Sequence, residues 1–523
     1  MQKTCAYLLG IGFLFLLFVA IGGSKTGAQA APLDLLIAHG NMIDGSGAES
    51  HRADIGIRGD RIVFLGDSTK ARLRAKRTID ASGLIVSPGF IDPHTHTLED
   101  LSSTNRNSEA YLMQGVTTVV TGNDGSGPLP LAPALKKWEQ QGIGTNAVLL
   151  VGMCSVRRQV MGMADAAPTP EQLEHMKALV AQGMADGAFG MSAGLFYAPC
   201  SFAKTEEVIE LAKVAAASQG YYDTHMRDES SYTIGLLGSI RETIRIGKEA
   251  GLPAHISHIK ALGTDVWGQS GQAIELVREA RASGENVTAD QYPYNASGTS
   301  LVPALVPRWA EAGGREQMLK RFDDPQVRPR LLEEMASNLK RRGGPESLLI
   351  TASADALAVG KNLQQIADTR HQAPLDAAIE IIKAGSNDVA SFNMSEADID
   401  NFMKQDWVMT GSDGSPGHPR KYGTFPRKIR EYALKRKVIS LSSAIRSSSG
   451  LTAQSIGLKD RGLLREGYFA DVIAFDPNTI SEESTYEHPE LLAQGMRYVL
   501  VNGKLAVENG KYTGALAGRA IRK

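Results

Sequence analysis

Short apolar runs alternate with helix-like stretches along most of the middle of the chain. Eight such runs lie at residues 85–96, 117–124, 146–153, 189–196, 221–226, 254–258, 287–292 and 408–413. The stretches between them carry ordinary helix signals, as where Thr205 precedes two acidic residues and Gly220 ends the apolar spacing. Eight strands with helical crossovers predict an α/β fold, a (β/α)8 TIM-like barrel. A doubly wound parallel sheet is the alternative.

The two ends of the chain have a different pattern from the middle. Residues 34–80 are short β-like runs separated by Gly, Asn and Asp turn signals. Residues 470–476 and 498–504 have the same pattern. Because each end is too small to bury a core alone, we expect the two ends to pack into one small β-sandwich domain. The predicted boundaries are 31–86 and 456–523 for the two parts of the sandwich and 87–455 for the barrel.

One segment inside the barrel region, at about residues 295–353, departs from the alternation. It is Pro-rich at first and charged later, with too little periodicity for a single crossover helix. We expect an insertion over the barrel mouth. A lid on the site and a surface excursion with no role in binding are both open.

The first 30 residues have the organisation of a secretory signal peptide. Lys3 is followed by an apolar run at residues 6–21, and Ala28 and Ala30 form an Ala-x-Ala site, which predicts cleavage after Ala30. The mature protein is then exported, to the periplasm or the medium, with no membrane attachment. A retained membrane anchor is the alternative, because the apolar run is only a little shorter than a spanning helix of about 20 residues.

Charge and cysteine content narrow the classes of partner. The chain has 56 Lys and Arg against 57 Asp and Glu, so nothing indicates binding to nucleic acid or to an anionic membrane surface. After signal cleavage only Cys154 and Cys200 remain. They could pair in an oxidising compartment, but their spacing does not decide it.

Histidines and carboxylates stand where the predicted strands stop. The residues at these positions are His94, His96, Asp124, His225, His258 and Asp413. Active sites of (β/α)8 barrels lie at the carboxyl ends of the strands, so these side chains are expected to converge. Charged groups are seldom buried unless they are paired or bind a metal, and a His-x-His pair at the end of a strand points both imidazoles to one face. The pattern predicts a divalent metal site.

Other histidines lack this context. His255 lies three residues before His258 and should face away from it in a strand, so we expect a structural role. Five other histidines are expected at the surface: His51, His175, His371, His418 and His488.

Several segments together resemble the amidohydrolase superfamily, and within it the D-aminoacylase (N-acyl-D-amino-acid deacylase) group. The segments are PGFIDPHTH at 88–96, HMRDE at 225–229, SHIK at 257–260 and GTFPR at 423–427. The His-x-His pair alone indicates only the superfamily, whereas the other three segments together point to this group. The resemblance covers nearly the whole mature chain.

The resemblance implies a role for individual residues. His225 and His258 match the group's tight zinc ligands, His94 and His96 match its second and weaker metal position, and Asp413 matches its catalytic carboxylate. Lys260, Tyr292 and Arg420 fall where the group binds the substrate carboxylate, and Tyr197 where a hydroxyl can assist the scissile carbonyl.

The chain departs from the group at one ligand position. The group usually has a metal-binding cysteine where this chain has Asp124. A carboxylate oxygen is a harder ligand than a thiolate, which weakens the preference for zinc and makes manganese or cobalt alternatives. We expect one or two ions, with zinc as the first choice.

These groups predict metal-dependent hydrolysis of the amide bond of N-acyl-D-amino acids, with release of a carboxylate and a free D-amino acid. The expected partner is a small N-acyl amino acid or a short peptide, and the D preference follows from the resemblance alone. One alternative is an exported dipeptidase or cyclic amidase of the same superfamily that acts on D- or isoaspartyl-containing peptides. A non-catalytic binding protein is the alternative from another class.

Overall fold

Eight parallel strands form a closed barrel in the computed structural model, which describes residues 32–523. The barrel strands are Phe90–Thr95, Val116–Thr121, Asn146–Leu149 continued by Val151–Gly152, Gly190–Gly194, Tyr221–His225, Ala254–Ile256, Val287–Gln291 and Val408–Thr410. Neighbouring strands pair in parallel, and a parallel bridge between Thr95 and Gly414 closes the ring. A doubly wound sheet stays open, so the predicted (β/α)8 barrel is confirmed.

The first predicted strand is two strands in the structure. Ile85–Pro88 pairs within a sheet of the small domain, and only Phe90–Thr95 belongs to the barrel. Gly89 joins them at a point where a Cβ would lie 2.2 Å from Thr117 Oγ1. The prediction of one continuous run at 85–96 was therefore wrong, because Pro88 and Gly89 interrupt the run where the chain changes sheets.

Helices occupy the crossovers and the region after the last barrel strand. Those before the seventh barrel strand are Leu98–Ser102, Glu109–Leu112, Ala132–Gln141, Met153–Met161, Pro170–Ala185, Thr205–Ala217, Gly235–Ala250 and Ser270–Ala282. Those around and after the eighth are Glu396–Met403, Arg420–Arg427, the π-helix Lys428–Lys435, Leu441–Ser448 and Gly450–Ile456. No helix of residues 32–523 combines the length and the apolar character that crossing a membrane requires. The predicted signal peptide lies outside the described residues.

The chain ends form two sheets that share an apolar core. A four-stranded sheet contains Arg61–Gly66, Asp54–Arg58, Leu33–Ala38 and Ala75–Asp80. A seven-stranded sheet contains Lys511–Tyr512, Lys504–Glu508, Met496–Val501, Val472–Phe475, Ile85–Pro88, Asn41–Met42 and His51–Arg52. Leu35 and Ile57 of the first sheet cluster with Val86, Val472 and Leu500 of the second. The predicted β-sandwich of the two chain ends is therefore present.

Between the seventh and eighth barrel strands the chain makes a long excursion with its own core. Its antiparallel sheet has the order Ala296–Thr299, Asn387–Phe392, Leu348–Ser353, and its α-helices are Leu301–Leu305, Arg315–Asp323, Arg328–Arg341, Leu363–Arg370 and Pro374–Ala384. The excursion continues well beyond residue 353, where the predicted insertion ends. It does so because Ile366 and Ile382 complete an apolar cluster with Phe322 and Leu331. We call residues 296–392 the insertion.

Cys154 and Cys200 form a disulfide with a Cα–Cα distance of 5.2 Å. It joins the start of helix Met153–Met161 to the short 3-10 helix Cys200–Phe202, which follows the fourth barrel strand. The sequence had left this pairing open. The bond fastens the loop that carries Tyr197.

A buried lysine beneath the eighth barrel strand predicts a pH-dependent stability. Lys428 Nζ donates hydrogen bonds to Thr410 Oγ1 at 2.8 Å and Ser447 Oγ at 3.0 Å. Burial lowers the pKa of Lys428 to about 7, although Asp290 favours the charged form. In the unfolded chain the pKa is about 10.4. Between these two values the unfolded state binds more protons, so Lys428 makes the free energy of unfolding rise with pH.

We expect Lys428→Met to be more stable than the wild type near pH 7, by about 2 kcal/mol, with the difference shrinking towards pH 10. Urea unfolding at pH 7 and pH 9.5 measures this change. The control is Lys435→Met on the same helix, since that side chain is 54% exposed and should leave the pH profile unchanged. Parallel pH profiles for Lys428→Met and the wild type would contradict the prediction.

Candidate metal centre

His94 and His96 converge with two carboxylates at the mouth of the barrel. His94 Nε2 lies 3.4 Å from Asp124 Oδ1 and 3.6 Å from Asp413 Oδ1. His96 Nε2 lies 3.0 Å from Asp413 Oδ1 and 3.6 Å from Asp124 Oδ2. One ligand atom from each of the four residues lies within 4.8 Å of the ligand atoms of the other three. These atoms are close enough together to surround a cation.

His225 and His258 form a second group around the same carboxylate. His225 Nδ1 lies 2.9 Å from His258 Nε2 and 4.0 Å from Asp124 Oδ2. His258 Nε2 lies 3.7 Å from Asp124 Oδ1. Asp124 thus belongs to both groups, and its two oxygens are placed to bridge two ions or to complete the ligands of one.

Three of these residues have a backbone conformation that residues other than glycine rarely adopt. The φ angles of Asp124, His258 and Asp413 are 55°, 36° and 48°, in the left-handed region. Such conformations cost about 1–3 kcal/mol and persist where the surrounding structure enforces them. At the strand ends they turn the three side chains inward, out of the extended path of the barrel strands.

The buried polar atoms of the cluster fit a cation. His94 Nε2 and Asp124 Oδ1 are buried and accept or donate no hydrogen bond among the described residues. A buried polar atom without a partner costs about 1–3 kcal/mol, so the site is incomplete on its own. Imidazoles and carboxylates together are ligands for zinc, manganese and cobalt. The donor set therefore fits a divalent metal.

The electrostatics of His94 lead to the same conclusion. Burial lowers the pKa of His94, but the carboxylates of Asp124 and Asp413 outweigh burial and raise the pKa to about 10. The two carboxylates thus attract positive charge to this position. A divalent cation supplies that charge without a proton on the imidazole.

Glu229 contacts His258 on the side of the imidazole that faces away from Asp124. Its Oε1 lies 3.0 Å from His258 Nδ1 and accepts a hydrogen bond from Lys260 Nζ at 2.6 Å. A carboxylate on the outer nitrogen orients a histidine ligand and raises its basicity. The sequence analysis missed this role, although Glu229 ends the HMRDE segment that His225 begins. Lys260, expected to bind a substrate carboxylate, therefore already has a buried counter-charge.

Arg420 contacts the predicted catalytic carboxylate directly. Its Nη1 lies 2.8 Å from Asp413 Oδ2, and its guanidinium carbon lies 4.8 Å from the centre of the Tyr292 ring. Burial raises the pKa of Asp413, but the Arg420 guanidinium outweighs burial and holds that pKa well below its usual range. Asp413 is therefore ionised. Its Oδ1 faces His94 and His96, and its Oδ2 faces Arg420.

Nine of the ten predicted site residues line one cavity of about 380 Å³, and His94 is buried, with Nε2 3.6 Å from Asp413 Oδ1. Tyr292 lies between Lys260 and Arg420, and the Tyr197 ring is 4.7 Å from the His225 ring. The insertion forms part of the cavity wall through Ser297, Arg342 and Asp388. The roles of the individual residues stay predictions.

Two other histidines can now be placed. His418 was expected at the surface, and this was wrong: it is buried, lines the cavity and contacts Ala296 O through Nε2 at 3.1 Å. The insertion covers it, which no local pattern around residue 418 indicates. His255 is buried and outside both metal groups, with Nε2 2.8 Å from Asp290 Oδ2, as expected of a structural histidine.

Comparison with known proteins identifies the family. A model of the amidohydrolase family matches residues 77–507, and the chain therefore belongs to this family. The chain is 35% identical over 523 residues to the D-aminoacylase of Alcaligenes xylosoxydans xylosoxydans, with 95% of this chain and 99% of the relative covered. The resemblance predicted from the sequence is thus confirmed.

Solved structures of two relatives have the same fold. A D-aminoacylase crystal structure superposes with a TM-score of 0.81 at 34% identity, covering 94% of this chain and 100% of that chain. The N-acyl-D-glutamate deacylase from Bordetella bronchiseptica, complexed with zinc and a phosphonate inhibitor, gives 0.82 at 29% identity, with the same coverage. That relative binds zinc, in agreement with a divalent metal at the present cluster.

The position of Asp124 predicts the effect of its removal on metal binding. We expect Asp124→Ala to weaken binding by about tenfold or more, because the change removes a ligand shared by both groups. We expect Asp124→Cys to shift the preference from manganese towards zinc. Metal content after dialysis against each ion, measured by plasma emission, tests both expectations. Asp388→Ala is the matched control, since it removes a carboxylate of the same cavity outside both groups. Unchanged metal content in Asp124→Ala would contradict the prediction.

Proposed function

We propose that this chain hydrolyses the amide bond of N-acyl-D-amino acids and releases a carboxylate and a free D-amino acid. The observation that carries the proposal is the position of Asp413, between the histidine cluster and Arg420 in one cavity. The relatives named above are deacylases, and the chain covers them over nearly their full length. It is a hydrolase that acts on carbon–nitrogen bonds.

The metal would be held by His94, His96, Asp124, His225 and His258. When bound, a divalent cation supplies a water of lowered pKa and polarises the amide carbonyl. Zinc is the proposed ion, with manganese or cobalt as alternatives because a carboxylate stands at position 124. Glu229 fixes the orientation of His258 from the outer side.

Asp413 takes the role of general base and then general acid. Ionised and held by Arg420, it accepts a proton from the attacking water and later donates it to the departing amine. Tyr197, whose ring lies beside His225 on the cavity wall, would donate a hydrogen bond to the scissile carbonyl. One carboxylate thus serves both proton transfers.

The α-carboxylate of the substrate is assigned to Lys260, Tyr292 and Arg420. The buried hydroxyl of Tyr292 has no partner among the described residues, and the ring that carries it lies 5.6 Å from Lys260 Nζ and 4.8 Å from the Arg420 guanidinium carbon. A carboxylate there would accept from the hydroxyl and gain from both charges. The preference for the D configuration is supported by the relatives.

Export is part of the same proposal. The signal-peptide pattern of residues 1–30 predicts passage to the periplasm or the medium. The disulfide between Cys154 and Cys200 supports it, because such bonds persist in oxidising compartments.

The test is amine release from paired N-acetyl-D- and N-acetyl-L-amino acids by the mature chain, loaded in turn with zinc, manganese and cobalt. We expect D-selective release, and a fall of about 10²–10⁴-fold in kcat for Asp413→Asn with its metal retained. The control is Asp388→Asn, which changes a carboxylate of the same cavity outside the cluster.

Three other results would overturn the proposal. Selective release from the L series would reverse the stereochemistry. Release only from dipeptides or cyclic amides would identify the alternative activity of the same metal site. Metal binding without hydrolysis of any of these compounds would leave a binding protein.

A further inference from the structure

We propose that Arg342 binds a second carboxylate of the substrate, in addition to the α-carboxylate. The substrate class is then an N-acyl-D-amino acid with an acidic side chain, or one whose acyl group ends in a carboxylate. This inference rests on the function proposed above. It assigns a specificity-determining residue in the insertion, away from the metal ligands.

Arg342 is a buried cation on the wall of the active-site cavity. It directly follows helix Arg328–Arg341, and only 2% of its surface is exposed. Its Nε donates to Tyr232 Oη at 2.7 Å and its Nη1 to Ser297 Oγ at 3.4 Å. Both partners are neutral hydroxyls that also line the cavity. Among residues 32–523 no carboxylate lies within 4.0 Å of the Arg342 guanidinium.

The other buried arginines show what Arg342 lacks. Among the described residues the buried arginines are Arg157, Arg342, Arg420 and Arg461. Arg157 pairs with Glu207 at 3.0 Å, Arg420 pairs with Asp413 at 2.8 Å, and Arg461 pairs with Asp471. Arg342 is the exception in that set, and it is one of the two that face the cavity.

A guanidinium does not lose its proton in a protein, so Arg342 keeps its charge when buried. Buried charges are costly unless an opposite charge neutralises them, and hydroxyl groups supply hydrogen bonds without charge. The missing anion can reach Arg342 from the cavity. A carboxylate fits the planar fork of a guanidinium with two parallel hydrogen bonds, which makes it the matching ligand.

The position of Arg342 suits a molecule with two carboxylates. Ser297 and Gly298 are consecutive residues of the strand Ala296–Thr299. Ser297 contacts Arg342, whereas a Cβ at Gly298 would lie 2.8 Å from Arg420 Nη2. Arg342 and Arg420 both line the cavity beside this strand. A substrate held by its α-carboxylate at Arg420 can therefore extend a second carboxylate to Arg342.

The experiment compares substrates that differ in one charge. Wild type and Arg342→Met are assayed on N-acetyl-D-glutamate and N-acetyl-D-glutamine, which have nearly the same shape. We expect the wild type to prefer the glutamate compound, and Arg342→Met to lose about 10- to 100-fold in kcat/KM on it, chiefly through KM. Activity on the glutamine compound should change little and shows that the variant is folded.

Two further comparisons locate the second carboxylate and control for position. N-succinyl-D-leucine against N-acetyl-D-leucine tests whether the charge belongs to the acyl group instead of the amino-acid side chain. Arg341→Met is the matched control, because Arg341 is the neighbouring residue but donates to Ser231 and Asn338 and does not line this cavity. It should retain the preference. Arg342→Lys, which keeps the charge without the fork, should be intermediate.

A binding measurement tests Arg342 without turnover. Glutarate, a dicarboxylate, should raise the melting temperature of the metal-loaded wild type more than butyrate does, and Arg342→Met should abolish the difference. Equal shifts by the two compounds in the wild type would overturn the inference. So would a wild-type preference for substrates that lack a second carboxylate in both the side chain and the acyl group, alongside D-selective hydrolysis, a result that leaves the proposed function standing. Absence of hydrolysis on every N-acyl-D-amino acid would instead defeat the proposed function, and the glutarate result would then decide on Arg342.

Discussion

The concentration of buried ionisable groups around Asp124 is the constraint on which the site depends. Its carboxylate lies between two sets of imidazoles, within 4.0 Å of a nitrogen of His94, His96, His225 and His258. Buried carboxylates and unpartnered imidazole nitrogens are unfavourable together without a cation. Metal binding is therefore expected to stabilise the folded chain as well as to supply the chemistry, because the ligands converge only in the folded barrel.

The barrel makes this convergence possible from residues far apart in the chain. Parallel strands all end at the same rim, so one polar residue after each of several strands brings the side chains together. The left-handed backbone at Asp124, His258 and Asp413 then turns those side chains inward. The paired strands before these residues hold the strained backbone in place, whereas His94 and His225 are among the last residues of their strands.

This regularity also decides what could be predicted from the sequence. The barrel and the convergence of the candidate ligands were predictable because both follow from local pattern, apolar runs that stop at His94, Asp124 or Asp413. The division at Gly89 was missed, although Pro88 and Gly89 interrupt the apolar run there. Glu229, His418 and Arg342 were missed for another reason. Each acquires its role from a distant segment that packs against it, and nothing in the local sequence of the insertion indicates that it covers His418.

The metal ligands and the insertion contribute to different parts of the cavity. The metal ligands come from the barrel strands and the loops directly after them, whereas Ser297, Arg342 and Asp388 come from the insertion, which has a separate apolar core. Substitutions in the insertion can therefore change the charge that faces a substrate without displacing a metal ligand. Conversely, Arg420 links the two parts, since it pairs with Asp413 and packs against Gly298. A substrate carboxylate that draws Arg420 towards itself competes with Asp413 for the same guanidinium, so binding and proton transfer share one group.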